Sequence, residues 1–188
     1  MTKHRNWADE PLRILAYRYF SALFTGQLTE LNSEQWSAIT KGLGIDLLSV
    51  KLNEESFQRA WAYCYYGVGD TTLSMTQSSW SNEDHQQCGP SCLSAQQSYR
   101  KAGVRPETQE THLLADHLGV MLGFMAWCLE ARPSKDRVQP DLFFAAHFGK
   151  WIDLFCRESS LRLTQPDANR VIYTFKRFIQ AEREAWLA

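Results

Sequence analysis

Apolar side chains recur every three or four residues in seven stretches of the chain, which is the period of a helix with one buried face. Each stretch opens on a polar residue or a proline suited to a helix N-terminus, and several close on glycine. No segment shows sustained alternation with β-branched enrichment. The pattern therefore predicts an all-α protein of six to eight helices. The predicted helix starts are Asp9, Asn32, Asn53, Pro90, Thr108 or Thr111, Pro140 and Pro166.

The uncharged and mostly apolar run at residues 118–129 predicts a helix that is buried on several sides. The run is too short for a membrane span, which needs about 20 apolar residues. If the helix starts at Thr108 or Thr111, Asp116 and His117 fall in its first turns. A buried carboxylate is costly unless it is hydrogen-bonded or paired. The sequence thus predicts a core helix whose first turns carry polar side chains.

A polar stretch at residues 67–89 interrupts the helical pattern. A loop of this length in a compact domain is usually functional or disordered. Trp80, near its middle, must either dock on the body of the protein or meet a partner. We expect a single domain over the 188 residues, with an N-terminal lobe at about 1–103, a hinge at 104–112 and a C-terminal lobe at 113–188. Such a hinge is compatible with a monomer or a lobe-exchanged dimer.

Composition narrows the class of protein. The chain is 44% hydrophobic and 22% charged, which is typical of a soluble globular protein. Its net charge of −1 argues against nucleic-acid binding through a basic field. The N-terminal residues are not followed by an apolar signal region, and no lipidation motif is present. The five cysteines are an odd number, and three lie in apolar helical patterns, which favours reduced thiols. We therefore expect a cytoplasmic protein without membrane insertion.

His85, Cys88 and Cys92 are the best candidates for a metal site. A structural zinc site needs four ligands, however, and no second Cys/His pair follows. The stretch from Cys88 to Cys92 also has one residue too many for a redox dithiol motif, and it lacks the preceding strand. We favour the interpretation that His85 is an ordinary loop histidine and that one of the two thiols faces the core. A small helical metal-binding or redox-sensing protein stays as the alternative function.

Asp116 and His117 admit three interpretations: a general acid/base pair, half of a metal site with His112, or a structural polar pair. On a helix, His112 and Asp116 would face the same way. The chain contains no Glu-x-x-His pair and no nucleophile elbow. A structural role is therefore favoured over ligand binding, and a small hydrolase with His117 as base is the weakest hypothesis. No catalytic or metal-ligating residue is assigned.

Three groups of short motifs occur along the chain. The first comprises Tyr65-Tyr66-Gly67, Ser78-Ser79-Trp80, Cys88-Gly89 and Tyr99-Arg100-x-x-Gly103. The second is Ala115-Asp116-His117-Leu118-Gly119, and the third is Phe144-x-x-His147-x-x-x-Trp151. Together they resemble the TorD/DmsD/NarJ family of redox-enzyme maturation chaperones over about residues 57–156, the second group being similar to its Glu-Pro-x-Asp-His-Leu signature. Two departures are Leu114-Ala115 in place of Glu-Pro and Thr76-Gln77 where proline is frequent.

The resemblance implies an all-helical cytoplasmic chaperone that is not an enzyme and holds no cofactor of its own. It would bind the twin-arginine signal peptide, the apoprotein, or both, of a molybdopterin-containing oxidoreductase until the molybdenum cofactor is inserted. Such a peptide needs an aromatic or Met-lined groove with acids nearby. Asp116 is the predicted acid for a guanidinium. The signal-peptide-binding residues that the resemblance implies are Tyr66, Trp80, Gly89, Asp116, His117, Met121, His147 and Trp151.

Overall fold

The computed structural model describes residues 7–28, 32–45, 49–67, 72–81, 88–106, 112–134 and 138–187. These residues form nine α-helices and no β-sheet, so the all-α prediction is confirmed with one helix more than expected. The helices are α1 (Glu10–Phe24), α2 (Ser33–Gly42), α3 (Glu55–Tyr65), α4 (Ser78–Ser81), α5 (Pro90–Ala102), α6 (Leu118–Ala131), α7 (Pro140–His147), α8 (Trp151–Arg162) and α9 (Pro166–Leu187).

Most predicted helix starts are confirmed because local chemistry determines them. The Asp9 carboxylate accepts the backbone N–H of Leu12 at 3.1 Å and caps α1. Asn32 and Gln35 form a reciprocal capping box at the start of α2. Gly103 closes α5 in the left-handed conformation, with φ +75°, which glycine adopts without steric cost.

The stretch predicted as one helix starting at Pro140 is two helices, α7 and α8, separated at residues 148–150. The Arg183 guanidinium donates to the carbonyl oxygens of Phe148 at 3.2 Å and Gly149 at 2.8 Å. These bonds satisfy carbonyl groups that lose their helical partners at the break. This break and the single turn α4 inside the predicted loop each add one helix to the seven predicted stretches, which gives the nine helices of the described residues.

The central helix α6 begins at Leu118, so the prediction that Asp116 and His117 lie in its first turns is wrong. His117 is instead the N-cap residue, with an extended backbone at φ −68° and ψ 133°. The hypothesis that His112 and Asp116 share one helix face also fails, because residues 112–117 are not helical. The predicted caps Thr108 and Thr111 lie outside the described residues.

Backbone pairing with an earlier segment explains the late start of α6. The N–H of Leu118 donates to the carbonyl of Met75 at 2.7 Å, and the N–H of Gln77 donates to the carbonyl of Asp116 at 3.0 Å. This antiparallel bridge uses backbone groups that an earlier helical start would need. The sequence periodicity does not reveal such a partner, since it lies some 40 residues away.

Helix α6 packs closely along α1, and two glycines of α6 lie at the contact. A Cβ atom at Gly119 would lie 2.6 Å from the Thr25 methyl group and 3.1 Å from the Ser21 carbonyl oxygen. The Ser21 hydroxyl donates to the carbonyl of Gly119 at 2.8 Å. The two helices can approach this closely because position 119 has no side chain.

We expect Gly119→Ala to lower the free energy of unfolding by about 1–3 kcal/mol, because overpacking shifts the backbone of α1. Gly123→Ala is the matched control on the same helix. It would meet the Ser21 hydroxyl oxygen at 3.0 Å, and this side chain can rotate with the loss of one hydrogen bond and without a shift of the α1 backbone. Urea denaturation of both variants measures the difference, and equal losses would contradict the close approach at position 119.

The division into two lobes stays a prediction. Helix α1 of the predicted N-terminal lobe packs along α6 of the predicted C-terminal lobe. Residues 107–111 of the predicted hinge at 104–112 lie outside the described residues. Among the helices that the structure describes, none is long and apolar enough to cross a membrane.

Candidate functional site

A surface groove of about 590 Å³ lies where residues 72–81 meet the ends of α1 and α3 and the start of α6. We call it the main groove. Its volume falls within the range of about 300–1,000 Å³ that is usual for ligand sites. The residues that line it are mostly aromatic or hydroxyl-bearing: Phe24, Tyr65, Tyr66, Trp80, Thr25, Thr72, Ser74, Thr76 and Ser79, with Leu73, Met75, Leu113 and His117.

Trp80 forms one wall of the main groove and is docked on the body of the protein. Its indole N–H donates to the carbonyl of Ser74 at 2.8 Å, and its ring meets that of Phe155 edge-on at 6.1 Å between centroids. Next to it, the hydroxyl of Thr76 lies 2.8 Å from those of both Ser74 and Ser79. The wall is therefore fixed by hydrogen bonds as well as by packing.

The imidazole of His117 lines the main groove and is neutral in the folded protein. Burial lowers its pKa to about 4, although the neighbouring Asp116 acts in the opposite direction. Its Nδ1 accepts the backbone N–H of Gly119 at 3.2 Å, so the proton of the neutral ring is on Nε2. Consequently, no described residue that lines the groove carries a formal charge at neutral pH.

Asp116 precedes the groove residue His117, and its side chain is completely buried. Its Oδ2 accepts the backbone N–H of Ser78 at 2.8 Å and the hydroxyl of Ser91 at 3.2 Å. Its Oδ1 has no hydrogen-bond partner among the described residues. The carboxylate thus holds α4 and α5 against the segment that leads into α6.

His147 lies in a second buried hydrogen-bond network. Because the Gln77 amide nitrogen donates to the carbonyl of Ala146 at 3.0 Å, the amide oxygen faces the His147 Nδ1 at 2.7 Å. Nδ1 must therefore be the donor, and Nε2 lies 3.4 Å from the hydroxyl of Ser94. Burial lowers the pKa of His147 to about 4, again against the influence of Asp116.

The structure divides the eight predicted site residues between the groove and the core. Tyr66, Trp80 and His117 line the main groove. The other five lie outside its lining. Asp116, Met121, His147 and Trp151 are buried, and Gly89 is the N-cap residue of α5. The indole of Trp151 donates to the carbonyl of His147, so these two residues brace each other.

The hydroxyl-bearing segment 72–76 lines the groove but was not among the predicted site residues. A signal was present, since Leu73 and Met75 alternate with Thr72, Ser74 and Thr76. In the structure all five residues line the groove, Leu73 and Met75 from buried positions. Alternation over so few residues is also common in loops, so it predicts a short extended segment only when a pairing partner is known.

The metal candidates are brought together only in part. The sulfur atoms of Cys88 and Cys92 lie 2.8 Å apart, whereas His85 lies outside the described residues. In the part of the chain that the structure describes, no group of three His, Cys, Asp or Glu side chains could hold a metal ion.

Comparison with known proteins identifies the family. The sequence model described as "Nitrate reductase delta subunit" matches residues 25–157, which is well over half of the chain and includes all eight predicted site residues. No curated protein and no solved structure matches the chain. The chain therefore belongs to the nitrate reductase delta subunit family, a family of molybdoenzyme maturation chaperones that its motifs had indicated.

Proposed function

We propose that the chain is a cytoplasmic chaperone that binds the twin-arginine signal peptide, the apoprotein, or both, of a molybdopterin-containing oxidoreductase. In this role it assists cofactor insertion before export, and it acts by binding rather than by catalysis. Family membership supports the class of client. The observation that carries the proposal is an open, aromatic-lined groove within the family-matched residues, whose described lining residues are uncharged. Metal binding or redox sensing as the main function of the chain is not favoured.

The chemistry of the main groove suits the apolar segment of a signal peptide. Aromatic and aliphatic walls bury apolar side chains of a helical peptide, and the hydroxyl groups can accept or donate hydrogen bonds at its edges. An arginine would find no acid among the described lining residues. We therefore propose that the two arginines lie beyond the groove while the apolar segment occupies it.

Asp116 has two possible roles in this proposal. As the predicted acid for a guanidinium, it would have to become accessible when the peptide binds. In the described conformation its carboxylate is buried and supports the groove wall through Ser78 and Ser91. We propose the second role, in which Asp116 positions α4 and α5 and does not contact the peptide.

We expect Tyr66→Ala and Trp80→Ala each to weaken binding of a twin-arginine leader peptide by about tenfold or more, as for truncated aromatic residues at interface centres. Isothermal titration calorimetry with leader peptides of molybdoenzymes measures the affinity. Tyr63→Ala is the matched control. Tyr63 is on the same helix as the groove residue Tyr65 and is 53% exposed, against 46% for Tyr66, but it does not line the groove.

Equal binding by the Tyr63, Tyr66 and Trp80 variants would refute the main groove as the peptide site. A peptide with its leucines replaced by serine should lose affinity in the same assay. A double-mutant cycle between Asp116→Asn and arginine-to-alanine peptides tests the role of Asp116. The absence of coupling is expected for a supporting residue, whereas strong coupling would show direct contact with the arginines.

A further inference from the structure

Two thiols meet at the start of α5, beside the groove wall. The sulfur atoms of Cys88 and Cys92 lie 2.8 Å apart, closer than the about 3.5–4.0 Å at which uncharged heavy atoms make optimal contact. Cys88 is exposed, whereas Cys92, in the first turn of the helix, is fully buried. The pair thus joins one thiol that reagents can reach to one that they cannot.

The backbone holds this arrangement in place. Cys88 has φ +60°, a left-handed conformation that is uncommon for a residue other than glycine. Its N–H donates to the hydroxyl of Ser78 at 3.1 Å, and the N–H of Cys92 donates to the carbonyl of Gly89 at 3.0 Å. Since Ser78 in turn donates to Asp116, the thiol pair is connected to the groove wall.

We propose that Cys88 and Cys92 form a reversible disulfide by exchange with a small disulfide such as oxidised glutathione. The Cys88 thiolate attacks one glutathione sulfur, the glutathione S–S bond breaks, and one glutathione leaves and takes up a proton. Cys92 then loses its proton and attacks the Cys88 sulfur, and the second glutathione leaves as a thiol. Two protein thiols are oxidised while one glutathione disulfide is reduced to two thiols.

The order of attack follows from exposure. Burial, together with the neighbouring Cys88, raises the pKa of Cys92 to about 12, so Cys92 is a poor nucleophile toward a reagent in solution. In the second step its partner sulfur is already in contact, so the attack is intramolecular. The disulfide would fix the start of α5 beside Ser78 and Asp116. The proposal is independent of the proposed function because its test requires no client peptide.

The test is incubation of the full chain with oxidised glutathione, followed by thiol counting under denaturing conditions and fragment mass spectrometry. We expect two of the five thiols to be lost, a bond between Cys88 and Cys92, and full recovery with dithiothreitol. Cys92→Ser should stop at the mixed disulfide and gain one glutathione. Cys88→Ser should not react, since Cys64, Cys92, Cys128 and Cys156 are all buried.

Three outcomes would overturn the proposal: five free thiols after exposure, a wild-type protein that keeps glutathione on Cys88, or a disulfide that involves another cysteine. Circular dichroism of the two serine variants shows whether they are folded. If either variant is unfolded, the wild-type fragment map and thiol count still decide between a disulfide and none.

Discussion

Arg13→Met is expected to lower the free energy of unfolding by about 3–5 kcal/mol, because it leaves a buried carboxylate without its counter-charge. The side chain of Glu182 is fully buried, and that of Arg13 is 8% exposed. The Arg13 guanidinium donates to both carboxylate oxygens of Glu182, from Nε at 2.8 Å and from Nη2 at 2.7 Å. This pair ties the first helix, α1, to the last, α9.

Three neutral donors complete the site around Glu182. The Tyr17 hydroxyl donates to the carboxylate at 2.7 Å, and the indole N–H groups of Trp7 and Trp186 donate at 2.6 and 2.8 Å. Arg13 also lies over the Trp186 ring, 4.8 Å from its centroid. In Arg13→Met the neutral donors remain, but they stabilise a buried charge less than a charged partner does.

Urea denaturation measures this loss, and Arg18→Met is the matched control. Arg18, on the same helix, pairs with Glu130, and the two side chains are 64% and 34% exposed. We expect Arg18→Met to cost less than about 1 kcal/mol, since solvent screens an exposed pair. The double variant Arg13→Met with Glu182→Gln should regain part of the loss, because glutamine keeps an oxygen acceptor for the neutral donors and carries no charge. Equal losses for the two arginine variants would contradict this account.

The fold was predictable from sequence where local chemistry decides it. The caps at Asp9 and Asn32 and the terminating Gly103 could be read directly, because each acts within a few residues. The pair of Arg13 and Glu182 could not, since the partners are 169 residues apart and each resembles an ordinary surface residue in sequence. For the same reason, the start of the central helix was predicted too early, because its true start depends on a backbone partner that is distant in the sequence.

The lining of the main groove was predictable only in part. The motifs singled out Trp80, Asp116 and His117, and the structure places Trp80 and His117 in the lining and Asp116 outside it. Which of these side chains faces the groove could not be told from the sequence. Asp116 is held below the surface by Ser78 and Ser91, contacts that depend on how α4 and α5 pack. Burial of this kind is a tertiary property, whereas periodicity reports only on single helices.

Acidification is expected to destabilise the protein through its two buried histidines. Burial lowers the pKa values of His117 and His147 to about 4, from an ordinary value near 6.5. Below about pH 6.5 the unfolded chain binds protons on both rings, whereas the folded chain does not do so until the pH is near 4. The stability is therefore complete above about pH 6.5 and is lost as the pH falls toward 4.

At pH 4.5 each histidine should contribute a loss of about 2–3 kcal/mol relative to pH 7.5, so that the two together give on the order of 5 kcal/mol. Urea denaturation across this range measures the profile.

The variants His147→Asn and His117→Asn test the two imidazoles separately. His147→Asn keeps a donor for Gln77, and His117→Asn keeps an oxygen for the backbone N–H of Gly119. Each should flatten the profile by about half of the total, because asparagine does not titrate. His112→Asn replaces an exposed histidine and is the matched control for the loss of one imidazole. Carboxylates that protonate in the same range affect all variants equally. The differences in stability between the variants and the wild type therefore report on the two imidazoles alone. If the slope of stability against pH were unchanged in both buried-histidine variants, the two histidines would not be neutral in the folded protein.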